Sequence, residues 1–248
     1  MSIQRLATLL LLVLLSACAA VDTSAPKLDA VKTIGVVSAI GDELTLTKAG
    51  LTGFENRTQS FSIESWGIDD LIVSRANSLL SRRFEVHPVT YRRVALAALE
   101  GDSAITAVNL LRDDPIKKLI PTEVTPLGLD AYVMITKAKS KYGSTSRTVE
   151  GFGIINHSAV FGSYAQIHAL YVVRVIDGHG FNLIEKRSAS PLNNTEMFRL
   201  AGPSRLVDAS FLPTANDAAQ NEPLKAAIID LIEHSLPATL HDLGLVDP

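Results

Sequence analysis

Apolar positions change their spacing several times along this chain, and each change predicts an element. Leu6 to Leu15 is an apolar run of about 10 residues, half of the roughly 20 that a membrane-crossing helix needs. Arg5 precedes it and small residues follow, which is the shape of a secretory leader that takes no part in the fold. Residues 19–32 are small and polar, contain Pro26 and have no amphipathic period, as in a linker. Thr33 to Ile40 is a β-branched run that predicts a buried strand. Gly41-Asp42 then turns the chain into Glu43–Thr47, whose alternation predicts a hairpin partner for it. Gly50 to Asn56 is a loop, and Gln59 to Ser65 alternates again with Phe61 and Ile63 on one face.

Ile68 to Arg83 carries the clearest helical period. Ile68, Leu71, Ile72, Ala76, Leu79 and Leu80 recur at spacings of three and four and form one stripe. Asp69 and Asp70 in the first turn, with Arg82 and Arg83 in the last, suit the helix dipole. Phe84 to Tyr91 predicts an edge or irregular strand because of Pro88. Residues 94–120 predict short helices, the last opening at Pro115 and closing at Pro121. Ala131 to Thr136 is a strand. Ser140 to Ser163, rich in Gly and Ser, predicts a loop or mobile hairpin. Tyr164 to Ile176 predicts the longest strand, and Asp177-Gly178 turns it back into Phe181–Arg187. Pro223 to Leu243 predicts a closing helix, interrupted at Pro237 and ended by Gly244.

Composition narrows the function classes. Lys+Arg 23 against Asp+Glu 26 gives a net charge of −3, with no basic stripe for nucleic acid. The 47% hydrophobic fraction is enough for one medium domain, 33–248. Cys18 is the only cysteine, so no intramolecular disulfide is available.

Leu15-Ser16-Ala17-Cys18 resembles the lipobox of bacterial lipoproteins. The resemblance implies that residues 1–17 are a cleaved signal peptide and that Cys18 is acylated, becoming the first residue of the mature protein. Residues 18–32 are then a lipidated tether. Acyl chains contribute about 0.8 kcal/mol per buried methylene, so more than one makes an anchor stable. About 14 tether residues reach at most ~50 Å stretched and average nearer ~20 Å as a coil. Ala19 after the cysteine is, by the same resemblance, compatible with export to the outer membrane.

Three further stretches carry a weaker resemblance: Leu129–Ile135, Leu170–Asp177 and the Ala-rich closing helix. They look like elements of envelope lipoproteins related to CsgG and the TolB N-terminal domain. This implies an α+β (mixed α/β) fold, one central mixed sheet with helices packed on it. It implies no activity, since fold and function separate. Ser140 to Ser163 lacks the alternating strands that pore-forming members need, and the tether is short for an activator of cell-wall synthases.

Candidate chemistry is sparse. Ser163 lacks the flanking glycines of a nucleophile elbow. His234 and His241 are about two helical turns apart, too far to share one zinc ion. His157, His168 and His179, with Asp177, fall in a loop, a strand and a turn. Phe152, Ile154, Ile155 and Phe161 cluster in the Gly-rich stretch and mark a candidate contact patch.

The expectation is a non-enzymatic envelope lipoprotein, lipid-anchored at the outer membrane and facing the periplasm, that acts as a protein-interaction or assembly component. It has no catalytic residues, no metal, no cofactor and no nucleic-acid partner. The alternatives are a periplasmic hydrolase or metal-dependent enzyme using the His and Asp residues of 157–179, and a carrier of lipid or another apolar ligand.

Overall fold

The computed structural model describes residues 28–49, 57–97, 115–142, 147–159, 162–192, 200–213 and 218–247. The leader, Cys18, most of the tether, residues 98–114 and Phe161 lie outside them. In chain order the elements are β1 (Thr33–Ala39), β2 (Glu43–Ala49), β3 (Arg57–Ser62), α1 (Ile68–Leu80), β4 (Glu85–His87), β5 (Thr90–Tyr91), α2 (Arg93–Ala97) and α3 (Pro115–Glu123). They continue with β6 (Val124–Thr125), β7 (Ala131–Lys137), β8 (Lys139–Lys141), β9 (Thr148–Ala159), β10 (Gly162–Asp177), β11 (Leu183–Ser188), β12 (Ser204–Val207) and α4 (Glu222–Asp242). The fold is α+β: a 10-stranded mixed sheet with helices packed on it, and a separate β5–β6 pair.

By its pairing, the sheet consists of two halves that share β10. One half runs β4-β1-β7-β10-β11, with β4, β1 and β7 parallel. The other runs β3-β2-β9-β10-β12, with β2 and β9 parallel. β10 pairs β9 over Gly162–Leu170 and β7 over Tyr171–Asp177, so it changes partner between Leu170 and Tyr171. The other strands break at the same level. β1 gives way to β2 across Ile40–Asp42, where Gly41 has φ +106°. β7 gives way to β8 at Ala138, whose N–H donates to Leu170 O at 3.0 Å. β9 bends at Gly151, φ +56°, whose N–H donates to Ala138 O at 3.1 Å. These breaks form a crease across the sheet.

The hairpin expected between β1 and β2 is therefore corrected. β2 pairs antiparallel with β3 and parallel with β9, and Gly41 carries the chain over the crease instead of folding it back. The loop expected over Ser140–Ser163 is corrected too. Its described residues include most of β8, all of β9 and the start of β10. Buried on both faces, β9 shows no alternation, and its glycines imitate a loop.

α1 buries Ile68, Ile72, Ala76 and Leu80 against the main core, which also takes Val36 of β1 and Val133 of β7. α4 covers the same face, with Leu224, Ile228, Leu231, Leu236 and Leu240 buried, and its Ser235 Oγ meets Tyr171 Oη at 2.7 Å. The Asn221 side chain accepts from Leu224 N and starts this helix, which runs through Pro237 without a break. A second core on the opposite face joins Leu96 of α2 and Ile116 and Ile120 of α3 to Tyr132 and Met134. Leu28, the first described residue, packs against the main core, and Val31 is buried. No described helix is long and apolar enough to cross a membrane.

Candidate binding cleft at the crease of the sheet

β4 is only three residues long and ends opposite Gly35, so β1 loses its edge partner beyond that point. A side chain replaces the missing strand. Tyr91 Oη accepts from Ser38 N at 3.1 Å and donates to Ser38 O at 2.9 Å. Burial, the larger influence, pushes the Tyr91 phenol up from its ordinary pKa. The space vacated by β4 opens a cleft of about 1050 Å³ at the carboxyl ends of the parallel strands. Open α/β sheets place their ligands at this end.

The crease supplies one wall of the cleft through Ile40, Gly41, Asp42, Lys137, Glu150 and Gly151. α1 supplies Asp70, Val73 and Asn77, and the Val89–Tyr91 stretch with Arg93, Val94 and Ala97 closes the other side. Behind the wall lies Asp69, in the first turn of α1 and fully buried. Its carboxylate accepts from Ser38 Oγ at 2.5 Å, Ile40 N at 3.0 Å and Gly41 N at 3.2 Å. Arg93 Nε lies 3.8 Å from Asp69, and its guanidinium also hydrogen-bonds Asp70, which clips α2 to α1. Across the cleft Lys137 Nζ is 3.3 Å from Glu150, which Lys139 approaches at 3.5 Å. Asp42 and Glu43, at the lip, have no ion-pair partner among the described residues. Burial, and then the nearby Asp69 charge, raise the Asp42 carboxyl above its usual range.

The residues singled out from sequence lie elsewhere. Phe152, Ile154 and Ile155 are 1%, 0% and 0% exposed, so they are core and not a surface patch. Their strand runs between β2 and β10, which explains the burial. His157 and His168 are on paired strands, four register positions or about 13 Å apart. Desolvation pushes both down to about 4, which keeps them neutral near pH 7. His157 touches the Tyr142 hydroxyl and stacks on Tyr164 with 4.3 Å between ring centroids. His168 is fully buried, and its Nδ1 bonds Gly151 O at 3.0 Å, steadying the bend of β9 behind the cleft. His179 is exposed in the β10–β11 turn, 3.7 Å from Asp177. Asp177 itself accepts from Gly180 N at 2.7 Å, which makes it a turn residue. His234 faces its own helix and lies 3.2 Å from Asp230. No group of three potential metal ligands occurs among the described residues.

The cleft residues were not singled out because they are drawn from positions 40 to 151 and share no local motif. Asp69 had a visible signal, an acid in the first helical turn, but that placement suits the dipole equally well. Two of the three stretches singled out for the envelope-lipoprotein resemblance are adjacent in space, with Ala131–Lys137 paired to Tyr171–Asp177. Asp130 accepts from Lys32 N at 2.9 Å and Thr33 N at 2.8 Å, bonds that hold its carboxyl below the usual range. It ties the incoming chain to the amino end of β7.

No protein-family model matches the chain, and no curated protein matches it. The structure is similar to that of Lipoprotein GNA1162 from Neisseria meningitidis, with TM-score 0.27, 16% identity, 82% of this chain and 99% of that one covered. It is also similar to a neuraminyllactose-binding hemagglutinin homolog from Helicobacter pylori, with TM-score 0.28, 7% identity and coverage of 86% and 85%. A third likeness is to protein CT253 from Chlamydia trachomatis, with TM-score 0.26, 9% identity and coverage of 84% and 99%. Likenesses of this size carry no argument, and the function has to be read from the chain's own residues.

Proposed function

We propose that this chain is an envelope lipoprotein held by Cys18 at the periplasmic face of the outer membrane, and that it works by recognition, as an interaction or assembly component, with the crease cleft as its contact site. The observation that carries the reading is the polarity of β1. Its amino end at Thr33 receives the chain from the anchor, and its carboxyl end at Ala39 leads into Ile40 and Gly41, which line the cleft. Seven strand residues at about 3.3 Å each separate the two ends by about 20 Å. Arg83, beyond the far end of α1, lies 3.8 Å from Asp29 and repeats this polarity. An anchored body thus has its cleft at the end remote from the tether, which favours a partner on the aqueous side over lipid of the same membrane. The charges beside the cleft also support recognition. Asp69 is spent on the backbone of Ile40 and Gly41, and Arg93 and Lys137 are occupied by carboxylates.

The test is a photocrosslinking amino acid placed in cells at Thr90, beside the cleft, and at Glu185 on β11 as a control. A discrete adduct from Thr90 alone is the expected result. Silence at Thr90 in every growth phase, or equal adducts at both positions, would overturn the reading.

A further inference from the structure

The lining of the cleft combines exposed apolar groups with charged ones. Val73 lines it from α1 and Val89 and Val94 from the other side, and Val94 is 86% exposed, a high value for a branched apolar side chain on a helix. At the lip of β2 stand Asp42 and Glu43, whose carboxylates are unpaired among the described residues. Four carboxylates line the cleft in all, against two cations, Arg93 and Lys137. Both cations are already in ion pairs, with Asp70 and Glu150. The uncompensated charge is therefore negative and sits where the chain crosses the crease from β1 to β2, in a cleft that also presents exposed valine.

We propose that the cleft docks a segment of a partner protein in which a basic side chain stands next to apolar ones. The apolar groups seat on Val89 and Val94, and the cation reaches Asp42 and Glu43. This inference rests on the recognition reading above and adds the chemistry of what is recognised. Charge complementarity selects the occupant. An acidic segment meets the unpaired carboxylates, and Arg93 and Lys137 can meet it only by breaking their existing pairs. A purely basic segment leaves Val89 and Val94 wet, and a purely apolar one leaves two carboxylates desolvated without a partner.

The test is fluorescence anisotropy on the full chain in non-ionic detergent. Three fluorescein-labelled octapeptides are compared: alternating Lys-Leu, alternating Glu-Leu and alternating Lys-Ser. The Lys-Leu peptide is expected to bind at least about tenfold more tightly than either comparator, since one desolvated charge contact or buried apolar contact is worth about that factor. The double variant Asp42→Asn, Glu43→Gln is expected to remove most of that advantage, and Val94→Ser to reduce it several-fold. Equal binding of the Lys-Leu and Glu-Leu peptides, or unchanged Lys-Leu binding by the double variant, would overturn the proposal. The peptide comparison is made on the unaltered chain, so it does not depend on a variant folding. A Thr90 crosslink together with equal peptide binding keeps the recognition reading and removes this charge assignment.

Discussion

Ser38 Oγ donates to Asp69 Oδ1 at 2.5 Å, and both residues are 0% exposed. This contact joins β1 to the first turn of α1 at the level where the sheet creases. Asp69 also holds the N–H groups of Ile40 and Gly41, which no neighbouring strand claims. Asp69→Ala leaves two buried donors, Ser38 Oγ and Ile40 N, and the half-buried Gly41 N without an acceptor, and removes one of Arg93's two carboxylates. Breaking a buried polar network of this kind costs about 3 kcal/mol. Ser38→Ala removes a single bond and costs about 1 kcal/mol. Urea unfolding of both variants measures the difference. Equal, small losses would show that Asp69 does not organise the crease.

Tyr91→Phe asks a related question of the backbone. The Tyr91 hydroxyl stands in for the strand that β4 does not continue, serving both the N–H and the C=O of Ser38. Its removal is expected to cost about 1–2 kcal/mol. Amide exchange at Ser38 should accelerate more than at Val37, whose N–H points the other way, into the β1–β7 ladder. Uniform acceleration along β1 would contradict that local role.

Acid should destabilise the fold before most carboxylates are protonated. His168 is fully buried and pushed down to about 4 in the folded state, whereas an unfolded histidine titrates near 6.5. Between these values the unfolded chain binds the extra proton, so stability rises with pH through the window and falls on acidification from about 6.5 toward 4. Going from pH 7 to pH 5, His168 alone accounts for about 2 kcal/mol. His157, also near 4, acts in the same direction. Unfolding midpoints measured at pH 7, 6 and 5 should fall steadily, and His168→Gln should flatten the fall. A wild-type profile that is flat over this range would refute the assignment of a neutral buried imidazole.

Gly153 is needed for space and not for its backbone angles. A Cβ there would lie 2.4 Å from His168 Nε2 and 2.6 Å from Thr45 Oγ1. Gly153→Ala should therefore cost about 1–3 kcal/mol as overpacking. Because Thr45 lines the cleft, the shift should also weaken whatever binds there. The same substitution at Gly41 meets nothing within 4 Å, and any loss there comes from φ +106°. A Gly153→Ala variant as stable as the parent would mean that the His168 ring is free to move.

Local signals revealed the helices and hid the pairing. α1 was visible because a one-sided helix repeats its apolar residues every three or four positions, and the buried Ile68, Ile72, Ala76 and Leu80 follow that stripe. β9 was hidden because both its faces are covered, which removes alternation, and because Gly151 and Gly153 are there for a bend and a close approach. Phe152 and Ile154 suggested a surface patch for the same reason. The partners of β2 were out of reach, since Leu44 pairs with Phe152, more than a hundred residues away, and nothing in either stretch encodes that choice. The cleft depends on all of these long-range placements, so it could not be assembled before the fold was known.

Anchoring makes the last prediction, and it is independent of the cleft. If Cys18 carries the acyl chains, Cys18→Ala removes the only lipid attachment that the sequence offers. Two or three acyl chains at about 0.8 kcal/mol per methylene hold a protein on a bilayer essentially irreversibly, and none holds it hardly at all. The expected outcome is loss of nearly all outer-membrane material on density fractionation, together with loss of labelled-palmitate incorporation. The variant protein should appear as a soluble species or as an uncut form at the inner membrane. Because Cys18 makes none of the contacts among the described residues, which start ten residues later at Leu28, the substitution should leave the urea midpoint of the body unchanged. Continued recovery of the variant with the outer membrane would show that the body binds there by itself. The basic side chains Lys32 and Arg83, near the entry of the chain, would then be the first positions to neutralise.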